Sequence, residues 1–170
     1  MLSTPDVSVD LGRLMVRRAQ EDDLDAIVAI GAEAFGGLRP VERGRAWVAA
    51  CWRGAPRLQY WIIEGHTGLV GYVLWVEKGG FRDAAVVELE QIAVSASVRG
   101  RGIGAQLVLQ SLEGLEADLK LRGSRLKLIE ITTGTEQGAV TFYRRTLGAE
   151  IVATIPSLFR GDEFILIARR

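Results

Sequence analysis

Apolar positions recur along this chain with two periods, near 3.6 and near 2, and the changes of period divide it into helices and strands. Residues 14–18 alternate as a first strand. The run Gln20-Glu21-Asp22-Asp23 supplies an acidic first turn that favours a helix start, and Leu24, Ile27, Val28 and Phe35 follow at helical spacing up to Gly36-Gly37. A second helix is expected over residues 41–51, where Trp47, Val48 and Cys51 mark an apolar side although Gly44 weakens the interior. Residues 58–63 and 69–76 are aromatic and β-branched strands joined through Gly65-His66-Thr67-Gly68, and a third strand over 84–94 follows the turn cluster at 78–83. These three predict an antiparallel meander. Ile103, Leu107, Val108, Leu112, Leu115 and Leu119 line one face of a long helix that Gly123 closes. A strand over 125–131 comes next, then a turn at Thr132-Thr133-Gly134-Thr135 and a short helix with Ala139, Phe142, Tyr143 and Leu147 on one side, ended by Gly148. Two terminal strands over 149–155 and 163–168 complete the chain. The strand–helix–strand unit over 84–131 calls for two parallel strands and a right-handed crossover inside an otherwise antiparallel sheet. The expected fold class is therefore α/β (α+β), with about seven strands and about four helices.

Composition narrows the function classes. At 170 residues, 48% hydrophobic, the chain supports one well-buried core, so residues 1–170 are expected to form a single domain with 1–12 as a flexible extension. Lysines and arginines number 21 and acidic residues 21, which leaves no global basic field to hold a nucleic acid. A small, locally recognised ligand fits better. The one cysteine, Cys51, cannot form an internal disulfide and reads as a buried small hydrophobe, and no Cys/His cluster has metal-ligand spacing. Residues 1–11 carry Ser3, Thr4, Pro5 and Asp6 in place of an apolar signal core, and no stretch approaches the roughly 20 apolar residues of a membrane span. A cytoplasmic protein without a metal is expected.

The chemistry concentrates at Arg99-Gly100-Arg101-Gly102-Ile103-Gly104, a glycine-rich bend that opens into the long helix. The first N–H groups of a helix lack internal partners and the helix dipole adds partial positive charge, so a phosphate or pyrophosphate suits this position. No lysine and hydroxyl residue follow the glycines, which argues against a nucleoside triphosphatase. Gly100-x-Gly102-x-x-Ala105 satisfies a relaxed dinucleotide fingerprint, with Glu130 at the end of the next strand. Residues 95–99 nevertheless separate the glycines from their strand, and too little chain follows for a doubly wound sheet. A glycine turn without a ligand is the plain alternative.

The whole pattern resembles the GNAT superfamily of acetyl-CoA-dependent N-acyltransferases. That family carries an Arg/Gln-x-x-Gly-x-Gly/Ala segment between its fourth strand and third helix, where this chain has residues 99–104. Val94 stands where the family's fourth strand ends, and Phe142-Tyr143 with Leu147-Gly148-Ala149 looks like its aromatic-tyrosine helix and Leu-Gly turn. The order of elements from Leu14 to Ala168 agrees with the family fold, in which the fourth and fifth strands splay apart. Two positions depart from the pattern: Glu136 stands where an asparagine is frequent, and Ala96 where a proline is common.

The resemblance implies acetyl-CoA as acyl donor. It assigns Arg99, Gly100, Arg101, Gly102, Ile103, Gly104 and Ala105 to the pyrophosphate and the backbone of Ile92, Ala93 and Val94 to the pantetheine arm, with an N–H near Val94 as an oxyanion donor. An amine of pKa about 10.4 is protonated at neutral pH and needs a base before it can attack. Glu88 and Glu90 lie six and four residues before Val94, and a period of two puts both carboxylates on one face. Family members often use a carboxylate at one of these positions through a water; the plain reading is a solvated strand face. Tyr143 is the implied general acid for the leaving thiolate, and otherwise an ordinary core aromatic. His66, in a glycine turn, reads as exposed. The expected reaction is direct attack of a primary amine, small or peptide-borne, in a ternary complex without a covalent enzyme intermediate. A non-catalytic acyl-CoA-binding domain of the same fold is the alternative. Residues 36–60, with Arg39, Trp47 and Trp52, are expected to shape the acceptor pocket, and Trp61 and Trp75 either to wall it or to pack in the core. Dimerisation through terminal strands, common in the family, is a further implication.

Overall fold

The computed structural model describes residues 11–36, 40–80 and 82–170; Arg39 and residues 1–10 lie outside them. In chain order the elements are β1 (Met15–Arg18), α1 (Leu24–Phe35), α2 (Val41–Arg53), β2 (Leu58–Gly65), β3 (Gly68–Lys78), β4 (Ala84–Val94), α3 (Ile103–Leu121), β5 (Arg125–Gly134), α4 (Gln137–Leu147), β6 (Glu150–Ile155) and β7 (Glu163–Arg169). The seven strands form one sheet in the order β1-β2-β3-β4-β5-β7-β6. β4 and β5 are its parallel pair and every other pairing is antiparallel.

Each face of the sheet is covered by a pair of helices. On one, Leu107, Leu115 and Leu119 of α3 and Val140 and Leu147 of α4 pack with Val73, Trp75, Val87 and Ile129 of the strands. On the other, Ile27 of α1 and Val48 of α2 pack with Ile62, Tyr72 and Leu74. Cys51 is buried in this second core, as its place on the apolar side of α2 suggested. The buried Trp75 indole donates to Ser111 Oγ at 3.0 Å, and that hydroxyl donates to Val108 O, so both of these buried polar groups are satisfied. Arg17 of β1 ties the entry to α1, at Asp23 2.7 Å away, to Glu64 of β2 at 2.9 Å. Its hydrogen bond holds the Asp23 carboxyl below the usual carboxylate range, against the opposing effect of burial.

One feature differs from the periodicity. The segment 132–134, whose composition suggests a turn, continues β5 because Thr132, Thr133 and Gly134 pair with Ile165, Phe164 and Glu163 of β7. Trp61 and Trp75 both face α3: Trp61 packs under the Arg18 guanidinium, 5.8 Å from its ring centroid, and against Gly114. His66 is exposed in its turn. Among the described residues no helix is long and apolar enough to cross a membrane, and no group of three or more His, Cys, Asp or Glu side chains could hold a metal ion.

Candidate active site

The central irregularity is in β4. Against β3, Leu89 pairs with Trp75 and Gln91 with Leu74, so the ladder passes over Glu90 as a β-bulge. A bulge breaks the alternation of faces. Leu89 and Ile92 both pack on the α3/α4 side, while Gln91 receives the Tyr72 hydroxyl at 3.2 Å on the α1/α2 side. Glu90 faces that same side, toward Cys51 of α2 and Tyr60 of β2. Glu88 and Glu90 therefore share a face, as a period of two suggests, whereas Ile92 and Val94 do not share it with them.

Beside the bulge the sheet opens. β4 and β5 pair from Ala84↔Arg125 to Glu88↔Glu130 and no further, although β4 runs on to Val94 and β5 to Gly134. Their facing edges past that rung present backbone N–H and C=O groups without ladder partners, which an extended amide-bearing ligand can satisfy.

Past Val94 the chain makes a short 3₁₀ turn, Ala96–Val98, and enters the glycine bend. The Ala96 N–H donates to Glu33 Oε1 of α1 at 2.9 Å, and Arg99 Nε donates to the Val94 carbonyl at 2.9 Å. Gly100 and Gly102 adopt φ of 79° and 76°, in the left-handed region that only glycine occupies cheaply. This turns the chain so that the N–H groups of Ile103, Gly104 and Ala105 start α3 with no acceptor among the described residues. They open onto a groove of about 570 Å³. One wall is residues 98–100 and 102–105; the other is α4, through Gly138, Thr141, Phe142, Arg145 and Thr146; Val94 lies at its end. Arg101 is exposed at the rim and Ile92 half-buried further along the open edge.

The electrostatics separate the candidate acids and bases. Lys78 of β3 reaches Glu130 Oε1 at 2.8 Å and Glu88 Oε2 at 3.2 Å, so both carboxylates are engaged. Burial acts to lower the Lys78 pKa, but the bonds to Glu130 and Glu88 prevail and raise it. Glu90 makes no ion pair among the described residues. Its side chain reaches solvent at the mouth, yet the surrounding protein desolvates the carboxylate in part, and this, followed by the Glu88 charge, raises its pKa, with Lys78 opposing. Tyr143 is 8% exposed on α4, edge-on to Phe142, and burial pushes its phenol up to about 12. Cys51 is likewise pushed up by burial, which keeps its thiol protonated.

Some site residues escape a sequence reading. Thr141 and Arg145 line the groove beside Phe142 at helical spacing, and that spacing was the available signal. Tyr60, Tyr72 and Gln91 gather near Glu90, and the Tyr60 hydroxyl is buried with no hydrogen-bond partner among the described residues. Glu136 does not line the groove. Trp47 is exposed on α2, and Trp52 borders a separate cavity of about 340 Å³ with Arg18 and Tyr60.

Comparison with known proteins agrees with this architecture. An uncharacterised N-acetyltransferase of Methanocaldococcus jannaschii is 28% identical over 144 residues, 79% of this chain; the match spans 60% of that relative's length. The ribosomal-protein-alanine N-acetyltransferase of Brucella melitensis superposes with a TM-score of 0.70 at 19% identity, over 92% of this chain and 99% of that one. An Arabidopsis thaliana protein in complex with the bisubstrate analogue CoA-Ac-MVNAL gives 0.69 at 15% identity, over 92% and 99%. At these identities the structural likeness is one of fold. Residues 24–149 match the Acetyltransferase (GNAT) family, and the chain belongs to that family.

Proposed function

We propose that this protein is an acetyl-CoA-dependent N-acetyltransferase acting on a primary amine. The observation that carries the reading is the opening between β4 and β5, which has on one side of the sheet a groove lined by the glycine bend and the first turn of α3 and on the other a bulged carboxylate without an ion pair among the described residues. The groove suits coenzyme A: unpartnered helix N–H groups and Arg99 for a pyrophosphate, the open edge of β4 for an amide-bearing arm, and the apolar sides of Val94, Ile103 and Phe142 between them. Arg145 extends the cationic lining. Bound there, acetyl-CoA would supply the acetyl group as an activated thioester.

The chain's own groups then divide the work. Glu90 accepts a proton from the incoming ammonium through a water, freeing the nitrogen lone pair to form the C–N bond. A backbone N–H near Val94 donates to the carbonyl oxygen as negative charge develops on it. As the C–S bond breaks, Tyr143 donates a hydrogen bond to the departing sulfur, and the second proton lost by the nitrogen ends on that sulfur, which leaves the amide and the free thiol. Glu88, clamped by Lys78, shapes the field at Glu90 and is not itself the base.

Release of free coenzyme A thiol, followed across a panel of peptide N-termini, lysine derivatives and polyamines, tests this reading. Glu90→Gln is expected to lower kcat by about 10² or more, and Tyr143→Phe to lower it less. Full turnover in both variants would defeat the assigned roles. Tight acetyl-CoA binding in calorimetry with no amine acetylated would defeat the enzyme reading as a whole.

A further inference from the structure

The last rung of the parallel pair sets two glutamates opposite each other, Glu88 on β4 and Glu130 on β5. Like charges directly opposed in a sheet are destabilising, and here the repulsion would act where the strands are about to part. The ammonium of Lys78 lies 2.8 Å from Glu130 and 3.2 Å from Glu88. Lys78 is the last residue of β3, paired with Val86, so its side chain crosses β4 to reach β5 and joins three strands at the mouth of the opening. The two carboxylates are only 17% and 24% exposed and the lysine 36%, which screens the cluster less than a surface pair. Two residues beyond Glu88 on the same face stands Glu90.

We propose that Lys78 is a positioning residue: by joining Glu88 to Glu130 it fixes the rung at which the sheet opens and sets the charge that Glu90 faces. The part concerning catalysis rests on Glu90 being the base. The groups facing Glu90 are Glu88 from its own strand, Lys78 from β3, Tyr60 from β2 and Cys51 from α2, while Glu33 of α1 is engaged by the Ala96 N–H. Lys78 is the cation of this set. Removing it leaves two adjacent carboxylates at the mouth, which disfavours a third negative charge at Glu90 and pushes β4 and β5 apart. Removing Glu130 as well restores the original net charge of the cluster.

The test is a carboxyl-carbon NMR titration of the glutamates, with the Glu90 signal assigned by its loss in Glu90→Gln. Relative to the unsubstituted protein, Lys78→Met is expected to raise the Glu90 midpoint by about half to one pH unit. Lys78→Met/Glu130→Gln is expected to return it, and Glu130→Gln alone, which keeps the lysine, to lower it. Amide exchange at Val87 and Ile129 should quicken in Lys78→Met and recover in the double variant. A Glu90 midpoint that stays put in both Lys78→Met and Glu130→Gln, or a double variant that does not recover, overturns the proposal. Should Lys78→Met fail to fold, the shift in Glu130→Gln decides the matter alone. The titration needs no turnover. An absence of amine acetylation therefore counts against the proposed function and leaves this result readable.

Discussion

Glu90 is passed over by the ladder between β3 and β4 and its side chain reaches solvent, but the protein around it desolvates the carboxylate in part and Glu88 lies close, and these last two disfavour its ionised form. A base of raised pKa holds an abstracted proton better than an ordinary carboxylate. The same shift has a thermodynamic consequence with a definite sign. With the folded pKa above the unfolded value of about 4.5, the folded state binds the extra proton, so this group's contribution to stability falls as pH rises through that window. Glu90→Gln is thus expected to match the unsubstituted protein in urea melts below pH 4.5 and to be equally or more stable at pH 7, with turnover lost. A variant less stable than the unsubstituted protein by the same margin at both pH values would mean that the side chain holds the fold together instead. Sequence could nominate Glu88 and Glu90 but not choose between them. The choice depends on Lys78, ten and twelve residues away along the chain, and on a bulge that exists only as a mismatch between two strands. Tyr143 could be nominated from its helix and its neighbour Phe142, and its burial follows from the apolar side of that helix. The burial makes full proton transfer from a phenol near 12 to a thiolate whose thiol titrates near 8.5 uphill, so in the proposed reaction Tyr143 donates a hydrogen bond.

The elements were easier to read than their edges. β4 and α4 stood out because alternation and helical spacing are local properties, and the glycine bend because it interrupts both. β5 runs three residues past its expected end because β7 supplies partners that no local signal announces. The bend itself shows how an element's entry can be a binding surface. A Cβ at Gly102 would meet nothing within 4 Å, so the need for glycine there is conformational, set by its φ of 76°. Gly102→Ala is expected to cost about 1–2 kcal/mol in denaturant melts through left-handed strain. It should also weaken acetyl-CoA binding by roughly tenfold or more, because the strain is relieved by turning the first N–H groups of α3 away from the groove. Calorimetry that finds affinity unchanged while stability falls would separate the bend from the ligand and remove it from the site.

At the scale of the molecule, the sheet is a partition. The groove and its glycine bend lie on the α3/α4 side, Glu90 with Tyr60, Tyr72 and Gln91 on the α1/α2 side, and the two meet where β4 and β5 stop pairing. A donor and an acceptor that arrive on opposite faces and meet through such a gap can react directly, with no need for a side chain to carry the acyl group between them. The nucleophile best suited to such a carrier, the Cys51 thiol, is buried under α2 beside Tyr60, and burial keeps it protonated. Initial rates measured over a grid of acetyl-CoA and amine concentrations are accordingly expected to give intersecting double-reciprocal lines, and Cys51→Ala to keep most of its turnover. Parallel lines, an acetylated protein recovered after incubation with acetyl-CoA alone, or loss of turnover in a folded Cys51→Ala would each place a covalent step in the reaction. The buried thiol and its phenol neighbour would then be the acyl carrier, and the opening between the strands would serve only to admit the donor.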